Sequence, residues 1–261
     1  MRWAILGAIV GTLVGLLAFA PATMLARAVA DATGGRVLLT EARGTLWGGS
    51  AVLVLTGGPG SRDAASLPGR LSWNVGVRGT ALELRLRQAC CLNGEVALRL
   101  KPGFGRTDIV LPPVPQAGGW AAQWPAAWLS GLGTPWNTLQ LGGVLKFTTP
   151  GVTLESVQGR LRLNGDAELL LLGASSRLST LDTLGSYRLQ LRGDPSNKGP
   201  ARITLSTIEG GLQLSGSGEW GGGRLHFRGQ AQAAPGSEAA LNNLLNIIGR
   251  RQGALSIISI G

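Results

Sequence analysis

Histidine is nearly absent from this chain of 261 residues: His226 is the only one. A nucleophilic triad would have to use it, and no G-x-S-x-G elbow accompanies it. The 14 acidic residues are scattered singly, so no carboxylate pair stands out and no metal-ligand spacing is recognisable. Cysteine is confined to Cys90 and Cys91, which are adjacent. That excludes a disulfide framework. Neighbouring Cα atoms lie about 3.8 Å apart, short of the usual disulfide range of about 4.4–6.8 Å. In a strand the two side chains would also point to opposite faces, so two free thiols are expected, one of them buried. These scarcities point away from an enzyme and away from a bound cofactor.

One literal motif remains. Gly216-Ser-Gly218-Glu-Trp-Gly221 matches G-x-G-x-x-G, with Glu238 following at a suitable distance. Dinucleotide binding needs a helix amino terminus directly after the glycines. Here Arg224-Leu-His-Phe227 alternates as a strand, so the glycines are expected to form a hairpin turn.

Charge is also missing from one long stretch. Trp3 to Ala20 reads WAILGAIVGTLVGLLAFA, which as a helix rising about 1.5 Å per residue just spans a hydrocarbon core of roughly 30 Å. Trp3, Leu6, Ile9, Leu13, Leu16 and Phe19 are its large anchoring side chains. Arg2 precedes it and no basic residue follows until Arg27, which places residue 1 in the cytoplasm and residues 27–261 across the membrane. A cleaved signal peptide competes, because Ala18-Phe19-Ala20 has the A-x-A form. Against cleavage stand the length of the apolar run and Pro21, which would follow the scissile bond. An uncleaved single-pass anchor, with its short flank over residues 1–26, is the preferred reading.

What the chain has in abundance is glycine, 42 residues, at only 5 % aromatic content. Interior glycine costs a helix about 1 kcal/mol against alanine, whereas β-turns and bulges accept it. The exported part is therefore expected to be mainly β. Its 24 basic residues give a net charge of +10, but they alternate along strands as on a solvated sheet face. Export also removes nucleic acid from reach; anionic lipid head groups beside the anchor are the alternative attraction.

Taken in order, Pro21 to Ala32 reads as a short helix at the outer membrane surface, ended by Gly34-Gly35. Arg36–Thr40 and Ala51–Thr56 form a hairpin or bulged pair, with Trp47 between them expected in the core. Leu82, Leu84 and Leu86 alternate with charged residues. So do Val96, Leu98 and Leu100, across a turn at Leu92-Asn93-Gly94, which predicts an antiparallel pair covered on one side. Pro112-Pro113 opens a segment in which Trp120, Trp124 and Trp128 recur every four residues, followed by Trp136. That spacing stripes a short helix, either packed across the sheet or presenting a membrane-interface or partner-binding patch. Strands follow at Leu139–Leu141, Val144–Phe147, Val152–Glu155, Gly159–Leu163 and Ala167–Leu172. A short helix is expected within Ser175–Gly185, then strands at Tyr187–Arg192, Arg202–Leu205, Gly211–Leu214 and Arg224–Phe227. Leu241, Leu244, Leu245 and Ile248 mark an amphipathic helix over Glu238–Ile248, and Leu255–Ile260 closes as a strand. The β-rich part, 27–261, divides into possible halves of about 27–110 and 137–261 around the Pro/Trp-rich segment.

Several blocks taken together resemble the type II secretion system protein N family: Gly44-Thr-Leu-Trp-Gly-Gly-Ser50, Leu71-Ser-Trp73, Arg177-Leu-Ser179 with Leu184-Gly-Ser-Tyr187, and Leu244-Leu-Asn-Ile-Ile-Gly-Arg-Arg251. The resemblance implies a non-enzymatic accessory subunit of the apparatus that carries folded periplasmic proteins through the outer membrane. It implies an inner-membrane anchor, a periplasmic β-rich domain and other secretion subunits as partners, and it supplies no catalytic residues. The family also looks distantly like AsmA-type proteins, whose curved sheets form an open groove suited to lipid. An open groove and a closed sandwich both fit the alternation, so a lipid-binding protein of envelope lipid traffic is the alternative function.

Overall fold

The computed structural model describes residues 3, 11–12, 15–113, 119–157, 160–194 and 199–261. It is built on one open antiparallel sheet of 16 strands. The helix after Pro21 is α1, Ala22–Ala32, ended by Thr33 and by Gly34 and Gly35, both at positive φ. It is followed by β1 (Val37–Gly44), β2 (Gly48–Thr56), β3 (Ala64–Ser66), β4 (Leu71–Arg78), β5 (Ala81–Arg87), β6 (Glu95–Gly103) and β7 (Arg106–Leu111). Then come β8 (Trp120–Pro125), a 3-10 helix (Ala126–Leu132), α2 (Trp136–Leu139), and the two longest strands, β9 (Gly142–Val157) and β10 (Arg160–Ser175). The chain ends in β11 (Gly185–Arg192), β12 (Ala201–Glu209), β13 (Leu212–Gly221), β14 (Arg224–Ala233), α3 (Glu238–Ile248), β15 (Arg250–Gln252) and β16 (Leu255–Ile260).

Sheet order follows chain order from β1 to β14, then β16 and β15, with β3 and β8 lying outside this path as extra partners of β2 and β9. β9 is long enough to hold two partners on one edge: Leu111 to Arg106 of β7 beside Val152 to Val157, and β8 beside Val144 to Thr148. The segment after β8 then reaches back across the sheet. The Trp128 indole N–H donates to the Ala65 carbonyl at 3.0 Å, and the Asn137 amide donates to Asp63 at 3.1 Å. Since β4 to β7 lie between β2 and β9 in the sheet, these bonds show it bent into a trough, closed along one margin.

Two apolar clusters hold the ends. Leu25, Ala26 and Val29 of α1 pack on Leu39, Ala51 and Trp73 of the first strands. At the other end Leu241, Leu244 and Leu245 of α3 are fully buried on Tyr187, Leu212 and Ala231. The Tyr187 hydroxyl donates to the Leu212 carbonyl at 3.0 Å, and burial raises its phenol above the usual range.

The bulged first pair, the β5–β6 pair, α1, α3 and the last strand agree with the sequence reading. Several expectations do not. Trp120 and Trp124 lie on strand β8 and Trp128 on the 3-10 helix, so their spacing is not a helical stripe. Pairing with β9 overrides the period. Residues 176–184 form turns instead of a helix, because Ser176 and Ser179 hydroxyls accept the backbone N–H groups of Leu178 and Leu181. Leu139 ends α2 and is buried, with Gln140 left-handed, so no strand spans 139–141. Cys90 and Cys91 are joined in a disulfide, with Cα atoms 3.7 Å apart. They sit in the turn between β5 and β6, where consecutive side chains are not sent to opposite faces as in a strand. Gly216 and Gly218 lie inside β13, and the turn is made by Gly222 and Gly223. Their missing side chains make room for Phe227: a Cβ at Gly216 would stand 2.5 Å from its ring.

Candidate functional site

From β4 to β12 the register places one side of the successive paired strands on a single apolar face. Val75, Leu84, Leu98 and Leu100 pair in rows with their neighbours, Leu100 opposite Ile109, Ile109 opposite Leu154, and Leu154 opposite Leu163. The rows continue through Leu169 opposite Leu189 and Leu189 opposite Leu205. Leu84 and Leu86 lie under the α1 cluster, and Leu205 and Leu214 under the α3 cluster. Between the two helices Leu98, Leu100, Leu111, Leu154, Leu161 and Leu163 belong to neither cluster and are half-buried. This is the inner surface of the trough: aliphatic, with a covering helix at each end and, among the described residues, none over the middle strands.

The outer face is ionic. Glu83 is buried between Arg85, Arg78 and Arg99, with contacts of 2.9, 3.3 and 3.3 Å. Arg85 foremost, then Arg78 and Arg99, hold its carboxyl below the usual carboxylate range against the opposing effect of desolvation. Further along, Arg87 meets Glu95, and Arg106 meets Glu155 at 2.6 Å and Asp108 at 2.9 Å. Asp108, the largest influence, and Glu155 raise the Arg106 guanidinium still further. Arg78, Arg85, Arg87, Arg99 and Arg106 thus form, with these acids, a cross-strand ionic ladder on the face opposite the leucines, as the alternation predicts. Among the described residues no group of three His, Cys, Asp or Glu side chains is placed to hold a metal ion.

Trp120, Trp124 and Trp128 are half-buried, with the rings of Trp124 and Trp128 6.0 Å apart. They close the margin of the trough together with the disulfide turn. Gln123 N–H donates to the Cys91 carbonyl at 2.8 Å, and the Asn93 side chain donates to the Trp120 carbonyl at 3.1 Å.

The apolar amino-terminal segment joins the sheet at the opposite margin. Leu46 N–H donates to the Ala20 carbonyl at 2.7 Å, Pro21 bridges Thr45, and the Trp47 indole N–H donates to the Leu17 carbonyl at 2.8 Å. Trp47 is thus half-buried at a clasp, and the core position expected for it belongs to Trp73. Of the side chains expected to anchor the chain, Trp3, Leu16 and Phe19 are exposed, while Leu6, Ile9 and Leu13 lie outside the described residues. Among the described residues no helix is long and apolar enough to cross a membrane. Sequence reasoning missed the clasp and also Phe104, fully exposed at the tip between β6 and β7. Its signal was present in Lys101-Pro-Gly-Phe-Gly-Arg106, an aromatic residue set between turn glycines.

A family model described as Type II secretion system (T2SS), protein N matches residues 35–257, from just before β1 into β16. No curated protein and no solved structure matches the chain.

Proposed function

Because the chain belongs to the type II secretion system protein N family, we propose that it serves that apparatus as a non-enzymatic accessory subunit at the inner membrane. In this reading Trp3–Ala20 spans the membrane once, residues 27–261 lie in the periplasm, and protein contacts with other subunits support the export of folded proteins. The carrying observation is the extent of the family match, which takes in nearly the whole sheet. The anchor rests on the uncharged run and on the absence of basic residues between Arg2 and Arg27. Deleting the gene should leave folded substrates in the periplasm while their synthesis and inner-membrane crossing stay normal. Undiminished export in the deletion strain would overturn the proposal.

A second reading has its own support. The half-buried Leu98, Leu100, Leu154 and Leu163 on the uncovered inner face are suited to acyl chains, so the domain would carry lipid within the envelope. The two readings are compatible in one protein, and lipid bound to the purified chain separates the second from the first.

A further inference from the structure

We infer that the margin of the sheet where the amino-terminal segment enters is a membrane-docking rim, seated on the surface of the bilayer that holds the anchor. The inference rests on the anchor reading above. Its partner is a lipid surface, and two independent features lead to it.

The first is the clasp. Bonds from Leu46 to Ala20 and from Trp47 to Leu17 tie the β1–β2 hairpin to the last residues of the apolar segment, and the Val75 N–H donates to the Trp47 carbonyl at 2.7 Å. An apolar run that leaves the bilayer at Ala20 therefore brings β4 at Val75 to the bilayer surface, with Trp47 at the depth where indoles concentrate.

The second is where the large apolar side chains are exposed. Val77 lies two residues beyond Val75, at the β4–β5 turn, and is 73 % exposed. Phe104 stands free at the neighbouring β6–β7 turn, closed by the Gly103–Arg106 pair, with exposed Lys101 before it. Phe19 is 80 % exposed at the clasp itself. By contrast Leu172, Ile208 and Ile247, toward the other margin, are each exposed by 45 % or less. Aromatic and aliphatic hairpin tips beside a cation suit the head-group boundary, where an apolar tip enters and the ammonium stays with the phosphates. The closed margin, with Trp124 and Trp128, then faces away from the bilayer, and the trough opens toward it.

The test uses the full chain in vesicles of phosphatidylethanolamine and phosphatidylglycerol, some carrying nitroxide-labelled lipid. An environment-sensitive fluorophore is attached, without reductant, to Phe104→Cys, to Thr138→Cys at the opposite margin, or to Gly11→Cys within the apolar run. Phe104 and Thr138 are exposed, so neither substitution disturbs the core. The expected result is loss of most emission at position 104 to nitroxide lipid, with emission at 138 unchanged. Quenching at 11 without quenching at 104 overturns the docking rim and leaves the anchor standing. No quenching at 11 removes the anchor and, with it, the rim seated beside it. Emission at 104 that is shielded from water but insensitive to nitroxide lipid, and that varies with protein concentration, assigns the tip to a protein contact and overturns the lipid surface.

Discussion

Trp73 lies over Gly49, where a Cβ would stand 2.6 Å from the tryptophan's Cζ2. The indole N–H, in turn, is held by the carbonyls of Thr45 and Leu46 at 3.3 and 3.2 Å. One ring thus packs the first cluster and fixes the hairpin that clasps the amino-terminal segment. The glycine is what lets it do both.

Gly49→Ala should therefore destabilise the domain by about 1–3 kcal/mol through forced movement of Trp73 and of the Arg43 carbonyl, 2.5 Å from the same Cβ. Gly76→Ala, on neighbouring β4 with nothing within 4 Å, should change stability by less than about 0.5 kcal/mol. Denaturant unfolding of the two variants checks the contrast; equally small losses would mean that Trp73 and the Arg43 carbonyl are free to move.

The carboxyl-terminal helix makes a second prediction. Leu244 is 1 % exposed, so Leu244→Ala should cost about 2–5 kcal/mol. Ile247 on the same helix is exposed, and Ile247→Ala should cost far less. Thermal melts that place both variants together would show that α3 is not packed as described.

The cysteine pair is checked by intact mass, which should rise by two hydrogens on reduction. Gln123 and Asn93 N–H groups bond to the carbonyls of Cys91 and Ala121 at 2.8 and 3.1 Å. Reduction loosens the turn that supplies these contacts, so hydrogen exchange at both amides should accelerate. Exchange in β13, far from the turn, should stay unchanged.

Glu83 gives a pH dependence. Its carboxyl is held below its usual value, so the unfolded chain takes up the proton first as pH falls. The stabilisation is complete above about pH 4.3 and is lost as pH falls through the lower folded value. Glu83→Gln should be less stable than the parent at pH 7, with the gap narrower at pH 3. A gap of the same size at both pH values would assign the loss to packing.

How far the sequence carries can be judged from the same residues. Alternation at Leu82–Leu86 and Val96–Leu100 located β5, β6 and their shared face, because a period of two has one physical reading. The Glu238–Ile248 helix was legible for the same reason at its own period. Trp120, Trp124 and Trp128 misled, since a four-residue spacing also suits alternate positions of a strand, and only pairing with β9 decides between them. Ser176 and Ser179 drew their backbone partners into local turns that a count of leucines does not reveal. The open middle of the apolar face was legible as a face but not as open. Coverage depends on where α1 and α3 come to rest, which is a tertiary fact.

That coverage supplies the last prediction. Leu84 lies beneath the α1 cluster, whereas Leu100 and Leu163 belong to neither helix-covered cluster and are half-buried. An arginine at Leu84, half-buried against that cluster, places a charge beside packed apolar groups and should destabilise the domain, which says nothing about a ligand. Leu100→Arg and Leu163→Arg can turn their guanidinium toward the open trough and should remain folded, with melting temperatures close to the parent. If the trough holds acyl chains, lipid should accompany the purified full chain in native mass spectra and be lost from both folded variants. Lipid retained in both variants would place it outside the trough. A parent chain free of lipid, with export impaired in cells carrying either variant, would make the same face a contact for another secretion subunit.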